Sequence, residues 1–256
     1  MANNDTIQKT LMVALALCIV CSVIVSGAAV ILKPLQIANV QLDMKRNILG
    51  AAGMLDEDVD IDEQFAQITP RLIDLRSGRF SEEIEAEGYD QIKAAKDPTL
   101  SEELSGAQDQ ANIGRREDFA LVYLVGDANN PDTVILPVRG AGLWGQLFGF
   151  LALENDFNTV AGLGFYEHKE TPGLGGEVDN PRWKALWPGK QVYRDGDVAI
   201  HLLKGAVDRS GPNADYQIDG LSGATLTGRG VSNLVQFWMG EDGYGPFLTK
   251  LKAGEA

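Results

Sequence analysis

Asp219-Gly220-Leu221-Ser222-Gly223-Ala224-Thr225-Leu226-Thr227 is the stretch whose residue types and spacing can do chemistry. Its glycines permit a tight turn, and its hydroxyls fall where a helix is about to begin. Backbone N–H groups at a helix start lack intrahelical partners, and the helix dipole there favours an anion. An anion placed there would suit that field. An ordinary Ser/Thr helix cap is the other reading, and composition alone favours it.

The element behind the motif is an amphipathic helix. Val231, Leu234, Val235 and Trp238 recur at helical spacing, and Gly240 supplies a stop. Upstream, residues 120–126, 133–140, 148–155, 159–168 and 198–204 are short β-rich runs divided by Gly, Asn, Asp and Pro. Asn129-Asn130-Pro131-Asp132 is a turn signal between the first two. Residues 181–187 open with Pro181 and read as a short helix. Strands with a few interspersed helices indicate an α+β domain, predicted over 61–256. Within it, residues 81–117 are acidic and poor in large apolar side chains, as in a solvated helical insertion.

The N-terminal part differs. Leu11 to Leu32 carries no charge and is bracketed by Lys9 and Lys33, close to the ~20 residues that cross a bilayer. A secretory signal is the rival reading. The apolar run continues past the small residues Ser26 to Ala29, which favours a retained anchor over residues 1–33. Lys9 and Asp5 on one side, and Lys33, Lys45 and Arg46 on the other, do not fix its orientation. Residues 34–60 read as a helical stalk, with Ile37, Val40, Met44, Ile48, Ala51 and Leu55 on one face.

Two further segments accompany the motif: Gly142-Leu143-Trp144-Gly145 and Glu170-Thr171-Pro172-Gly173-Leu174-Gly175. Taken singly, they are ordinary core and a Gly-rich loop. With DGLSGAT, and in that order, they resemble the FMN-binding domain family. That resemblance implies FMN joined through its phosphate to Thr225 by a separate flavin transferase that uses FAD and magnesium. It implies contacts from Ser222, Gly223, Ala224, Leu226, Thr227 and Gly173. Leu143, Trp144 and Leu174 would cover the flat ring, Glu170 and Thr171 would bond its polar edge, and Lys204 would pair with the phosphate.

Over the whole chain the wording is most similar to the C-type subunits of bacterial sodium-translocating NADH:quinone reductases. The G-type subunits of Rnf ferredoxin:NAD complexes come second. The first implies an electron relay toward ubiquinone coupled to sodium export, with the A, B, D, E and F subunits as partners. It also implies an inner-membrane anchor with the main domain in the periplasm.

Other classes fit poorly. A net charge of −14 argues against nucleic acid. Cys18 and Cys21 both lie in the apolar run, so the main body can form neither a disulfide framework nor a thiolate-bound cluster. Its two histidines, His168 and His201, stand far apart, which points away from zinc, haem or copper. Gly220 to Ala224 falls one glycine short of a hydrolase elbow, and no histidine follows Ser222. No Walker or Gly-x-Gly-x-x-Gly pattern suggests a bound NADH. A non-enzymatic membrane-anchored binding domain remains the plain alternative.

Overall fold

A computed structural model describes residues 6–56 and 58–256. Helix α1 runs unbroken from Ile7 to Ala51, with Pro34 inside it. From Ile7 to Asp43 every side chain on it is exposed, although most are apolar from Leu11 to Leu32. A helix apolar on all faces and covered by nothing of its own chain has the make-up of a single-pass membrane anchor. Among the described residues it is the one helix long and apolar enough to cross a bilayer.

The helix segment up to Met44 and the body from Lys45 to Ala256 are separate compact units. In the body, Ile48, Leu49 and Ala51 at the end of α1 are buried. Gly53 adopts a positive φ of 68°, and the Met54 N–H returns to the Leu49 carbonyl. This left-handed stop ends the helix before Leu55, which the stalk periodicity had included.

Short helix α2 (Ile61–Phe65) leads into strand β1 (Ile68–Asp74) and its partner β2 (Arg79–Ser81). Residues 81–117 hold less helix than their composition suggests. They contain only α3 (Gln91–Ala94) and the antiparallel pair β3 (Ser101–Glu103) and β4 (Arg115–Glu117). Four long strands follow: β5 (Phe119–Asp127), β6 (Asn130–Ala141), β7 (Gln146–Glu154) and β8 (Val160–Glu167). With β1 and β2 they form one antiparallel sheet, ordered β2-β1-β5-β6-β7-β8. After β8 come α4 (Pro181–Lys184) and the hairpin β9 (Tyr193–Arg194) and β10 (Asp197–Val198). The parallel pair β11 (His201–Leu202) and β12 (Gln217–Ile218) precedes α5 (Thr225–Met239) and α6 (Gly245–Ala253).

α5 lies against β6, burying Val231, Leu234, Val235 and Trp238 in the common core. Side chains larger than hydrogen would hold the two elements apart. A Cβ on Gly140 would strike Leu234, and one on Gly230 would strike the Ala141 carbonyl. Directional bonds then fix the docking: Trp238 Nε1 donates to Arg139 O at 2.7 Å, and the Tyr244 hydroxyl to Pro137 O at 2.7 Å. Arg139 and Glu117 form a buried ion pair at 2.6 Å that ties β4 to β6. The sheet and the helices laid on it make this an α+β domain.

Candidate functional site

The site is assembled where α5 begins. Asp219 anchors the approach: its carboxylate accepts from the Val207 N–H and from Arg209 Nη2, each at 2.7 Å, and its carbonyl accepts from Trp183 Nε1 at 3.0 Å. Gly220 passes so close to the Leu203 carbonyl that a Cβ would collide with it. Gly223 turns the chain with a φ of 71°. The N-cap of α5 is Ala224, and no side chain caps the helix. The Ser/Thr-cap reading therefore gives way. The first intrahelical bond is from Gly228 N–H to Ala224 O, so the N–H groups before it have no helical acceptor.

Thr225 is the first helical residue and is exposed, as are Ser222 and Leu226. Thr227 is fully buried. Thr225 shares a hollow of about 300 Å³ with Lys204, Leu221 and Arg229. Arg229 was not singled out from sequence. Its position, four residues after Thr225 on the same helix face, was the available signal. A larger hollow of about 990 Å³, between the β9–β10 hairpin and the α5–α6 connection, contains none of the motif residues.

Two loops stand beside the helix start. The Gly142–Gly145 turn closes with Gly142 N–H on Gly145 O at 2.7 Å and leaves Leu143 and Trp144 exposed, Trp144 at 65%. In the loop after β8, Thr171 is exposed and Leu174 is 45% exposed. The Leu174 side chain lies over Gly223, close enough to touch a Cβ placed there. Large apolar side chains left in water cost free energy, at about 25 cal/mol per Å². Leu143, Trp144, Leu174 and Leu226 are all left so, on the loops and the helix turn that form this site.

Glu170, the residue expected to bond a ligand's polar edge, lies between the Leu143–Trp144 turn and α5. Its carboxylate is buried, and both oxygens are engaged within the chain. Oε1 accepts from the Leu143 and Trp144 N–H groups, each at 2.9 Å, and Oε2 accepts from the Thr227 hydroxyl at 2.5 Å. Its own N–H donates to His168 Nδ1 at 3.2 Å. That nitrogen must therefore be unprotonated, so the proton sits on Nε2, which faces Asp179 Oδ2 at 2.7 Å. Among the described residues, no group of three or more His, Cys, Asp or Glu is arranged to hold a metal.

Residues 142–240 match the model of the FMN-binding domain. Over its whole length the chain is 54% identical to the C subunit of the Na(+)-translocating NADH-quinone reductase of Pseudomonas aeruginosa, covering 100% of both. The chain belongs to the family of Na(+)-translocating NADH-quinone reductase C subunits. The Yersinia pestis member is 47% identical, with 98% of this chain and 96% of that one covered. The crystal structure of Shewanella oneidensis NqrC superposes with a TM-score of 0.75 at 37% identity, covering 82% of this chain and 97% of that one. That of the Parabacteroides distasonis member gives 0.66 at 26% identity, over 85% and 97%. In the present family member the FMN-binding match begins at the Gly142 turn and ends at Gly240, where α5 stops. It thus encloses the Leu143–Trp144 turn, the Glu170 loop and the helix start.

Proposed function

We propose that this protein carries FMN in phosphoester linkage on Thr225 and relays electrons from NADH toward ubiquinone within a sodium-exporting complex. The observation that carries the reading is the exposed Thr225 hydroxyl at the uncapped start of α5, inside the FMN-binding segment.

The residues present fit such a group. A phosphate on Thr225 would meet the free N–H groups and the positive end of the helix dipole. Lys204 and Arg229 border the same hollow and supply positive charge. Leu143, Trp144, Leu174 and Leu226 offer apolar cover for a flat ring. Ser222 and Gly223 give the turn its room, and Gly173, with a φ of 76°, turns the facing loop. Thr171 is exposed on the loop after β8, and its hydroxyl would bond the polar edge of the ring.

The Thr225 oxygen would bond to the phosphorus of the FMN half of FAD, with AMP leaving and the hydroxyl proton lost to solvent. Among the described residues no group of three or more His, Cys, Asp or Glu is arranged to hold a metal, in keeping with a transfer made by a separate flavin transferase that brings its own magnesium. FMN, once bound, exchanges electrons singly or in pairs and so links a hydride-derived pair to one-electron centres. The phosphate tether leaves the ring unaltered, so the surrounding side chains set its potential.

Within the anchor region of 1–33, the apolar run Leu11–Leu32 of α1 would cross the inner membrane. A stalk over 34–60 would lead to the domain of 61–256 on the periplasmic side, where a tether prevents cofactor loss. The A, B, D, E and F subunits are the partners. The test is to place the Thr225→Ala protein in the whole complex. NADH oxidation by a soluble acceptor should persist, while quinone reduction and sodium pumping should fail. Normal quinone reduction in that complex would remove this flavin from the main electron path.

A further inference from the structure

We propose that Glu170 is the positioning residue of this site: its buried carboxylate clamps the Leu143–Trp144 turn to the first turn of α5, so that ring cover and phosphate acceptor are fixed relative to each other. The inference rests on the FMN reading of Thr225 for its consequence, but not for its geometry.

Three segments distant in sequence converge on this one side chain. Leu143 and Trp144 belong to the β6–β7 turn, Glu170 follows β8, and Thr227 is in α5. Apart from the Gly142–Gly145 bond that closes it, the tip of the turn gains little from packing, since Leu143 and Trp144 are 46% and 65% exposed. Two N–H bonds to a carboxylate are charge-assisted and stronger than bonds to a neutral acceptor. Glu170 as a residue is only 5% exposed, and its carboxylate has no cationic partner among the described residues, so the three donors carry its compensation. Glycines make room for it: a Cβ on Gly142 or on Gly175 would strike a Glu170 oxygen.

The Glu170 backbone is itself held by His168, which Asp179 orients. With both oxygens occupied, Glu170 does not need a ligand to be satisfied. It can order the site before any flavin arrives, which is what a positioning group must do.

The first readout needs no flavin. In full-length protein from a host lacking the transferase, amide hydrogen exchange at Leu143 and Trp144 should be protected. Glu170→Ala should speed it by about tenfold, the loss of one net hydrogen bond's worth. Glu170→Gln keeps an acceptor and should restore most of the protection.

The second readout is the visible circular dichroism of the flavin in loaded protein. It should collapse in Glu170→Ala and in Thr227→Val, and survive in Glu170→Gln and Thr227→Ser. The Thr227 pair keeps the question answerable if Glu170→Ala does not fold. Wild-type exchange at Leu143 and Trp144 in Glu170→Ala would overturn the clamp. Faster exchange with an unchanged flavin signal would overturn its bearing on the cofactor. Wild-type protein without covalent flavin would instead sink the FMN reading, and the exchange arm would still decide the clamp.

Discussion

The Thr227 hydroxyl donates to Glu170 Oε2 at 2.5 Å, joining two buried side chains 57 residues apart in sequence. The bond commits Thr227 to the interior and separates the roles of the motif's hydroxyls. Thr227 holds the helix start in place, Ser222 lies in the turn before it, and Thr225 faces solvent at the first helical position. A transferase needs an accessible acceptor, and the phosphate needs the free N–H groups beside it. Of the three, Thr225 meets both requirements.

Flavin attachment should depend on the transferase. Protein expressed in a host without that enzyme is expected to show a dark band when a denaturing gel is illuminated. Co-expression with the transferase should make the band fluoresce. A fluorescent band from the first host would mean that the chain modifies itself.

The domain should lie outside the cytoplasmic membrane. Protease added to intact spheroplasts is expected to digest the body from Lys45 to Ala256 and to leave the Leu11–Leu32 part of α1 protected. Complete protection of the body would place it in the cytoplasm.

The Arg139–Glu117 pair should matter more to stability than its single contact suggests. Both side chains are buried, and Arg139 also faces the ring of Trp238 at 5.8 Å. Removing one partner leaves an uncompensated charge in the interior, which costs about 3–5 kcal/mol. Denaturant unfolding of Glu117→Ala should show that loss, with Arg139→Ala alike. A change under about 1 kcal/mol would show that water reaches the pair and weakens it.

Asp156 should contribute an acid-sensitive element. Burial alone would raise its carboxyl. The Thr159 hydroxyl, the N–H groups of Thr159 and Asn158, and the Lys252 charge outweigh that and hold it below its ordinary 3.8. A depressed folded pKa gives stability that is present above the unfolded value and lost as pH falls through the folded one. The thermal midpoint of the wild type should therefore drop toward that of Asp156→Asn as pH is lowered through about 4 and below. A gap between the two that stays constant from about pH 7 to about pH 3 would contradict this account.

Much of this arrangement was legible in the sequence because it is local. Strands β5 to β8 alternate or run apolar between turn residues, and α5 carries a helical stripe that ends at Gly240. Other features were hidden because they depend on distant partners. β1 contains Pro70 and two charged residues, and it becomes a strand through pairing with β5. The 81–117 segment has a polar composition that suits a solvated helix. Arg115 and Arg116 nevertheless pair across it with Glu103 and Glu102, and it forms a β pair instead. The position of Glu170 in its motif suggested contact with a ligand. Only the fold brings Leu143, Trp144 and Thr227 to its oxygens.

The central claim is covalent FMN on Thr225, and intact mass under denaturing conditions tests it most directly. Wild-type protein co-expressed with the transferase should exceed its sequence mass by one FMN residue. Thr225→Ala should match its sequence mass, while Ser222→Ala and Thr227→Ser keep the addition. A Thr225→Ala protein that still carries the added mass would contradict the assignment.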